Sequence, residues 1–292
     1  MKRFITLLTL SASLVANVAS AADDDDLKRL KATNACSMCD LTNANLRPVD
    51  LSNADLSGAD LSRASLYGTN LISANLNGAI LVWADLRGAK LGNANLDGAN
   101  LDHANLEGAD LTDASLKGAV LTGVMLSRAK LESANLTGAN LRGASLEVSN
   151  LSFANLTNAN LNTTYMRSAN LEGAILEGSN LNRANLEGAN LTDAILSNTS
   201  MKHVDLTMAN LTSANLNNAK LVFATLVQAN LEGANLEGAN LKLSDLSSAN
   251  MTNANLEGAI LEDASMVPAS RIGATIWCNT TKPDGSVDNI GC

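Results

Sequence analysis

From Leu41 to Met266 every fifth residue is leucine or methionine, without one insertion. The residue two places earlier is small: alanine at Ala54, Ala59 and Ala64, elsewhere Val49, Thr69, Ser149 or Thr199. The unit reads A-(N/D)-L-x-x. A period of five suits neither regular element, because it advances about 500° on an α-helix and on a strand sends successive leucines to opposite faces. The backbone must therefore turn once per unit, with leucine and the small residue inside and the polar positions outside.

Glycine indicates how many units close one coil. In the last position of the unit it falls at Gly58, Gly68, Gly78, Gly88, Gly98 and Gly108, while Arg63, Ser73, Trp83, Asn93 and His103 fill the intervening units. Glycine adopts positive φ at little cost, so the glycine turns are expected to stack on one another between coils and to differ from the intervening ones. That favours an even number of sides, and four is the smallest that leaves room for a core. Twenty residues per coil stacks Gly58, Gly78, Gly98, Gly118 and Gly138.

The motif resembles the pentapeptide-repeat family over roughly residues 39 to 276. The resemblance implies an all-β fold, a right-handed, four-sided parallel β-helix with the leucine and the small residue pointing inward. At a strand spacing of roughly 4.8 Å the repeats build a rod about 55 Å long. Each coil contacts only its neighbours, so both ends need covers.

The ends read as such covers. Residues 1–21 carry Lys2 and Arg3, an apolar stretch and Ala19-Ser20-Ala21, the pattern of a cleaved secretory signal. Residues 22–38 are expected to form a short helical cap, with acids at Asp23 to Asp26 and Leu27 and Leu30 on one face. Repeats follow over 39–276 and a C-terminal cap over 277–292, where Pro283-Asp284-Gly285 turns the chain back and Trp277 is expected to pack on the last coil. Four cysteines in an exported chain read as two disulfides. Any link from Cys36 or Cys39 to Cys278 or Cys292 would have to cross the rod, which leaves Cys36 with Cys39 and Cys278 with Cys292. Carried backward, the five-residue register puts both Cys36 and Cys39 inside.

Losing the signal takes the formal net charge from −9 to −11, because Lys2 and Arg3 go with it. That mild acidity, without clustered Lys and Arg, argues against nucleic acid as a ligand, and nothing after the signal is apolar enough to anchor in a membrane. Aromatics are only 2% of the chain, so leucine and alanine must build the interior. Catalytic chemistry finds no support: His103 and His203 are the only histidines and neither has a nucleophile or paired carboxylate beside it in the motif. No cofactor or metal is expected, and the rod is expected to lack a pocket. The Asn position before each leucine, as at Asn95, Asn135, Asn155 and Asn215, is expected to form outward ladders.

One column of outward turn residues contains Trp83, His103, His203, Phe223 and Leu243. With Val222 beside them and Met208 and Val227 at the neighbouring corner, Phe223 and Leu243 form a candidate interaction patch. The expected function is thus a non-enzymatic structural or protein-interaction rod in the periplasm, the thylakoid lumen or outside the cell, with an unidentified protein partner or a second copy. The family resemblance offers an alternative, since some members mimic DNA and bind DNA gyrase. A net −11 against roughly 32 phosphate charges over the same length copies duplex DNA poorly. A flat ice- or mineral-binding threonine array is weaker still, because Glu132, Glu172 and Glu232 interrupt Thr112, Thr192, Thr212 and Thr252.

Overall fold

The computed structural model describes residues 22–266, 272–273, 275–289 and 291–292; the expected signal over 1–21, and Ala269 and Ala274, lie outside them. Parallel bridges join each Asx-position residue to the one twenty later, from Ala35↔Asp55 to Asp245↔Ser265. Four turns therefore make one coil.

Backbone hydrogen bonding explains why five residues suffice for each side. In the unit Ala74-Asn75-Leu76-Asn77-Gly78, the Asn75 N–H donates to Ala54 of the preceding coil, and Leu76 and Gly78 donate to Asn95 and Asp97 of the next. Ala79 N–H closes the turn onto Leu76 at 3.0 Å. The remaining amide, Asn77, donates to the Oδ1 of Asn75. Every N–H of the unit thus has a partner, as a closely packed backbone demands. The Asx side chain caps its own turn. Ladders are its second role: along one face Asn170, Asn190, Asn210, Asn230 and Asn250 each donate to the residue twenty earlier.

The turns correct the glycine argument. Positive φ occurs at the third turn residue of every unit from Met38 to Asp263 except Pro48, including Arg63 (56°), Trp83 (59°) and His103 (54°). Glycine and non-glycine turns share one conformation, the one a type II turn imposes at that position. Alternating glycine did not mark alternating backbone, although four sides is the count observed. At a few coils a side chain of the coil before also leans over the glycine. A Cβ at Gly173 would sit 2.6 Å from the Phe153 ring of the coil before, and one at Gly123 would sit 3.1 Å from His103 Nε2.

The core is a column of leucines and alanines, with Leu56, Leu156 and Leu256 fully buried. Most hydroxyls that replace alanine find a carbonyl: Ser149, Thr164, Thr199 and Ser244 each donate to the leucine three residues earlier, whereas the buried Ser179 hydroxyl has no partner.

Both ends of the repeat tract fall outside the expected 39–276. Pairing starts at Ala35, because Cys36 occupies a leucine position and Cys39 an alanine position, both buried. At the other end Asn255 bridges Ile276 and Ile260 bridges Thr281, an offset of 21. One extra residue has entered, so the five-residue phase does not survive to Ile276 as expected. Ile276 stands 40% exposed at an Asx position, and Trp277 takes the inward leucine place, 9% exposed.

Helix α1, Asp24–Thr33, lies over the first coil. Asp23 caps it by accepting from the Asp25 and Asp26 amides, and three acids in its first turn suit the helix dipole. Leu30 is buried in the core with Leu27 packed against it, and Asp26 accepts from Asp40 N at 2.9 Å. At the far end strands β1 (Thr280–Thr281) and β2 (Val287–Asp288) form an antiparallel hairpin. Disulfides join Cys36 to Cys39 and Cys278 to Cys292. Among the described residues no helix is long and apolar enough to cross a membrane.

Candidate interaction corner

The two outward residues of each turn stack into four straight corners. One corner carries the turns after Leu81, Leu101 and onward to Leu241, and it bears exposed aromatic and aliphatic side chains. Trp83 is 56% exposed, Phe223 48% and Leu243 39%. Rings stack along the column: Trp83 lies on His103 with centroids 4.5 Å apart, and His203 lies on Phe223 at 5.0 Å and 4°. His103 Nδ1 stands 2.9 Å from the Asp102 carboxylate, and Lys242 pairs with Glu262 at 2.8 Å.

The five patch residues divide between two corners. Val222, Phe223 and Leu243 share this one. Met208, which is exposed, and the half-buried Val227 stand on the next, across the face that bears Asp205 and Thr225. Sequence reasoning put Trp83 in the column but left it out of the candidate patch, and it missed the histidine stacks. The signal was available, since His103 follows Trp83, and His203 precedes Phe223, by one coil.

The corner holding Met208 is charged toward its start. Arg47 and Arg87 flank the Tyr67 ring at 5.4 and 5.5 Å and both pair with Asp85. The Arg87 hydrogen bond holds the Asp85 carboxyl below the ordinary range despite partial burial. Farther along, Arg128 pairs with Glu107 and Arg167 with Glu187, each at 3.0 Å. The expectation of a rod without a pocket is corrected here. Ser127 and Ser145, small and 2.9 Å apart, leave an open recess of about 410 Å³ between Met125, Val148, Glu107 and Glu147. A second, of about 310 Å³, opens where Gly92 lacks a side chain beside Ile72 and Lys90.

The ligand-type cluster of Asp26, Cys36 and Cys39 has its two sulfurs joined to each other, so neither is a thiolate that could bind a metal. The threonine column is likewise engaged, because Thr112, Thr192, Thr212 and Thr252 each donate to the Asx oxygen of their own turn.

A family profile described as pentapeptide repeats matches in eight copies, over residues 39–78, 79–118, 114–149, 144–183, 184–221 and 224–263. Among solved structures, HetL of the cyanobacterium Nostoc sp. strain PCC 7120, a pentapeptide-repeat protein involved in heterocyst differentiation regulation, is 34% identical. The match covers 90% of this chain and 98% of HetL, with a TM-score of 0.34. QnrB1, a plasmid-mediated fluoroquinolone resistance protein, is 20% identical over 57% of this chain and 89% of its own, with a TM-score of 0.48. A pentapeptide-repeat protein of the Arabidopsis thaliana thylakoid lumen is 27% identical over 44% and 68%, with a TM-score of 0.22. No curated protein sequence matches.

Proposed function

The chain belongs to the pentapeptide-repeat family, whose fold is a right-handed, four-sided β-helix, and from that premise we propose that it is an exported, non-enzymatic rod that presents a corner to a protein partner. The observation that carries this reading is the column of exposed Trp83, Phe223 and Leu243 on one corner, with His103 and His203 stacked on its rings. Exposed apolar residues aligned along one edge fit an interface better than scattered ones do.

The buried polar side chains among the described residues are all Ser and Thr, and the cysteines are paired. A fixed interior of that kind fits a binding scaffold. Export is supported by the pattern over 1–21 and by two disulfides, which persist in oxidising compartments. The DNA-mimic alternative draws less support, because Glu107 and Glu187 share their corner with Arg47, Arg87, Arg128 and Arg167 and are engaged in ion pairs.

The test begins with the exported fraction, where the mature chain should start at Ala22. Capture from that fraction, and sedimentation of the pure chain, should show association that Phe223→Ser with Leu243→Ser abolishes. Both side chains point outward, so the melting temperature should hardly move. Asn93→Ser with Ser213→Ala, on another corner, is the matched control. A chain that retains Met1 contradicts export, and unchanged association in the Phe223/Leu243 variant contradicts the corner.

A further inference from the structure

The two ends of the candidate corner mirror one another. Toward one end the apolar pair Val82-Trp83 is followed one coil later by Asp102-His103. Toward the other, Lys202-His203 is followed one coil later by Val222-Phe223. Between the two halves the third turn residues are Gly123, Gly143, Thr163 and Arg183, with Arg142 beside Gly143, so the ridge is low except at the two arginines. The step from Gly143 to Thr163 lies midway, with Trp83 three coils before Gly143 and Phe223 three coils after Thr163.

We propose that this corner is half of an isologous interface, on which a second copy of the chain docks antiparallel, the two-fold axis passing between the coils of Gly143 and Thr163. The inference rests on the reading of the corner as an interaction surface and names its occupant. A two-fold axis lying across the rod brings Val82 and Trp83 of one copy against Val222 and Phe223 of the other. It sets Asp102 opposite Lys202 twice over, and each His103 opposite a His203. Lys202 has no ion-pair partner among the described residues of its own chain, and Asp102 keeps a carboxylate about one-third exposed.

The Asp102 and Lys202 charges favour the antiparallel copy over a parallel one. A parallel copy would set Lys202 beside His203 and offer Asp102 only a histidine. The same axis sets each Arg183 over a Gly123 of the other copy, so the arginine has room and the two ridges can approach until the apolar ends touch. From Trp83 to Phe223 the strip runs about 34 Å at the coil spacing. A width of roughly 15–20 Å then buries on the order of 1,000–1,400 Å² in total, at the lower edge of what specific association requires. The dimer is therefore expected to be reversible, at micromolar strength.

Sedimentation equilibrium of the mature chain at about 50 µM should return twice the monomer mass. Asp102→Lys and Lys202→Asp should each weaken the dimer on the order of tenfold, and the two combined in one chain should restore it, because both cross-axis contacts are then reversed together. These turn positions already carry acids and bases, as at Arg142, Lys242 and Glu262, so the variants should fold; thermal melts check this. A monomer at every concentration overturns the proposal, as does a double variant no tighter than the single ones. If the chain is monomeric yet captures another protein through Phe223 and Leu243, the second copy is excluded and the interaction-rod reading stands.

Discussion

Val148 is the residue worst matched to its place. It is β-branched, it holds φ at 59°, and 60% of it is exposed, so little packing offsets the strain. The left-handed conformation costs an L-residue about 1–2 kcal/mol, with β-branched side chains at the upper end, while glycine loses about 0.5–1 kcal/mol to its extra freedom in the unfolded chain. Val148→Gly should therefore stabilise the protein by about 1 kcal/mol in denaturant unfolding. A loss of stability would mean that the side chain makes contacts its exposure hides. The same residue shows what the sequence concealed. Five-residue spacing announces which side chains point inward, because leucine cannot sit outside at every unit. It says nothing of turn conformation, since type II turns here accept Val, Trp, His and Arg where glycine was the expected marker.

At the scale of the turn, the Asx residue ties side chain to backbone. Asp55 accepts from the Ser57 hydroxyl at 2.8 Å and from its amide at 3.2 Å, and these bonds hold its carboxyl below the ordinary value near 3.8. Asp50 is lowered likewise, by the Ser52 amide first. A carboxyl depressed in the folded state binds protons less readily there than when unfolded. The stability it contributes is present above about pH 4 and is lost as pH falls through the folded pKa. Asp50→Asn with Asp55→Asn keeps the accepting oxygen and removes the titration. Stability of the variant should fall less between pH 4 and pH 2 than that of the parent, and an identical acid limb in chemical unfolding would contradict the Asx-cap account. Only part of this was legible beforehand. Asparagine ladders follow from stacking identical residues, but the capped amide appears only when each N–H of the turn is given a partner.

Across the whole molecule, the architecture was legible wherever the phase was unbroken and opaque where it broke. At the start the register could be carried back through Cys36 and Cys39, both of which are buried, but at the end one inserted residue moved Trp277 into the core in place of Ile276. The interaction corner was half legible: its apolar members were visible as a column, but the stacking of His103 and His203 on the aromatic rings and the reversed order of charges need the coil in three dimensions. Both the corner and its proposed partner depend on twenty residues per coil, since a fifteen-residue coil scatters Trp83, His103, His203 and Phe223 around the rod. Spin labels on cysteines introduced at Arg63 and Arg183 measure that number directly, because the native cysteines are paired and will not react. Diluted with unlabelled protein to suppress distances between copies, the labels should give one narrow electron–electron distance near 29 Å, six coils at about 4.8 Å each. A distance near 38 Å, the eight coils of a fifteen-residue repeat, or a broad distribution, would contradict the four-sided rod and every column read from it.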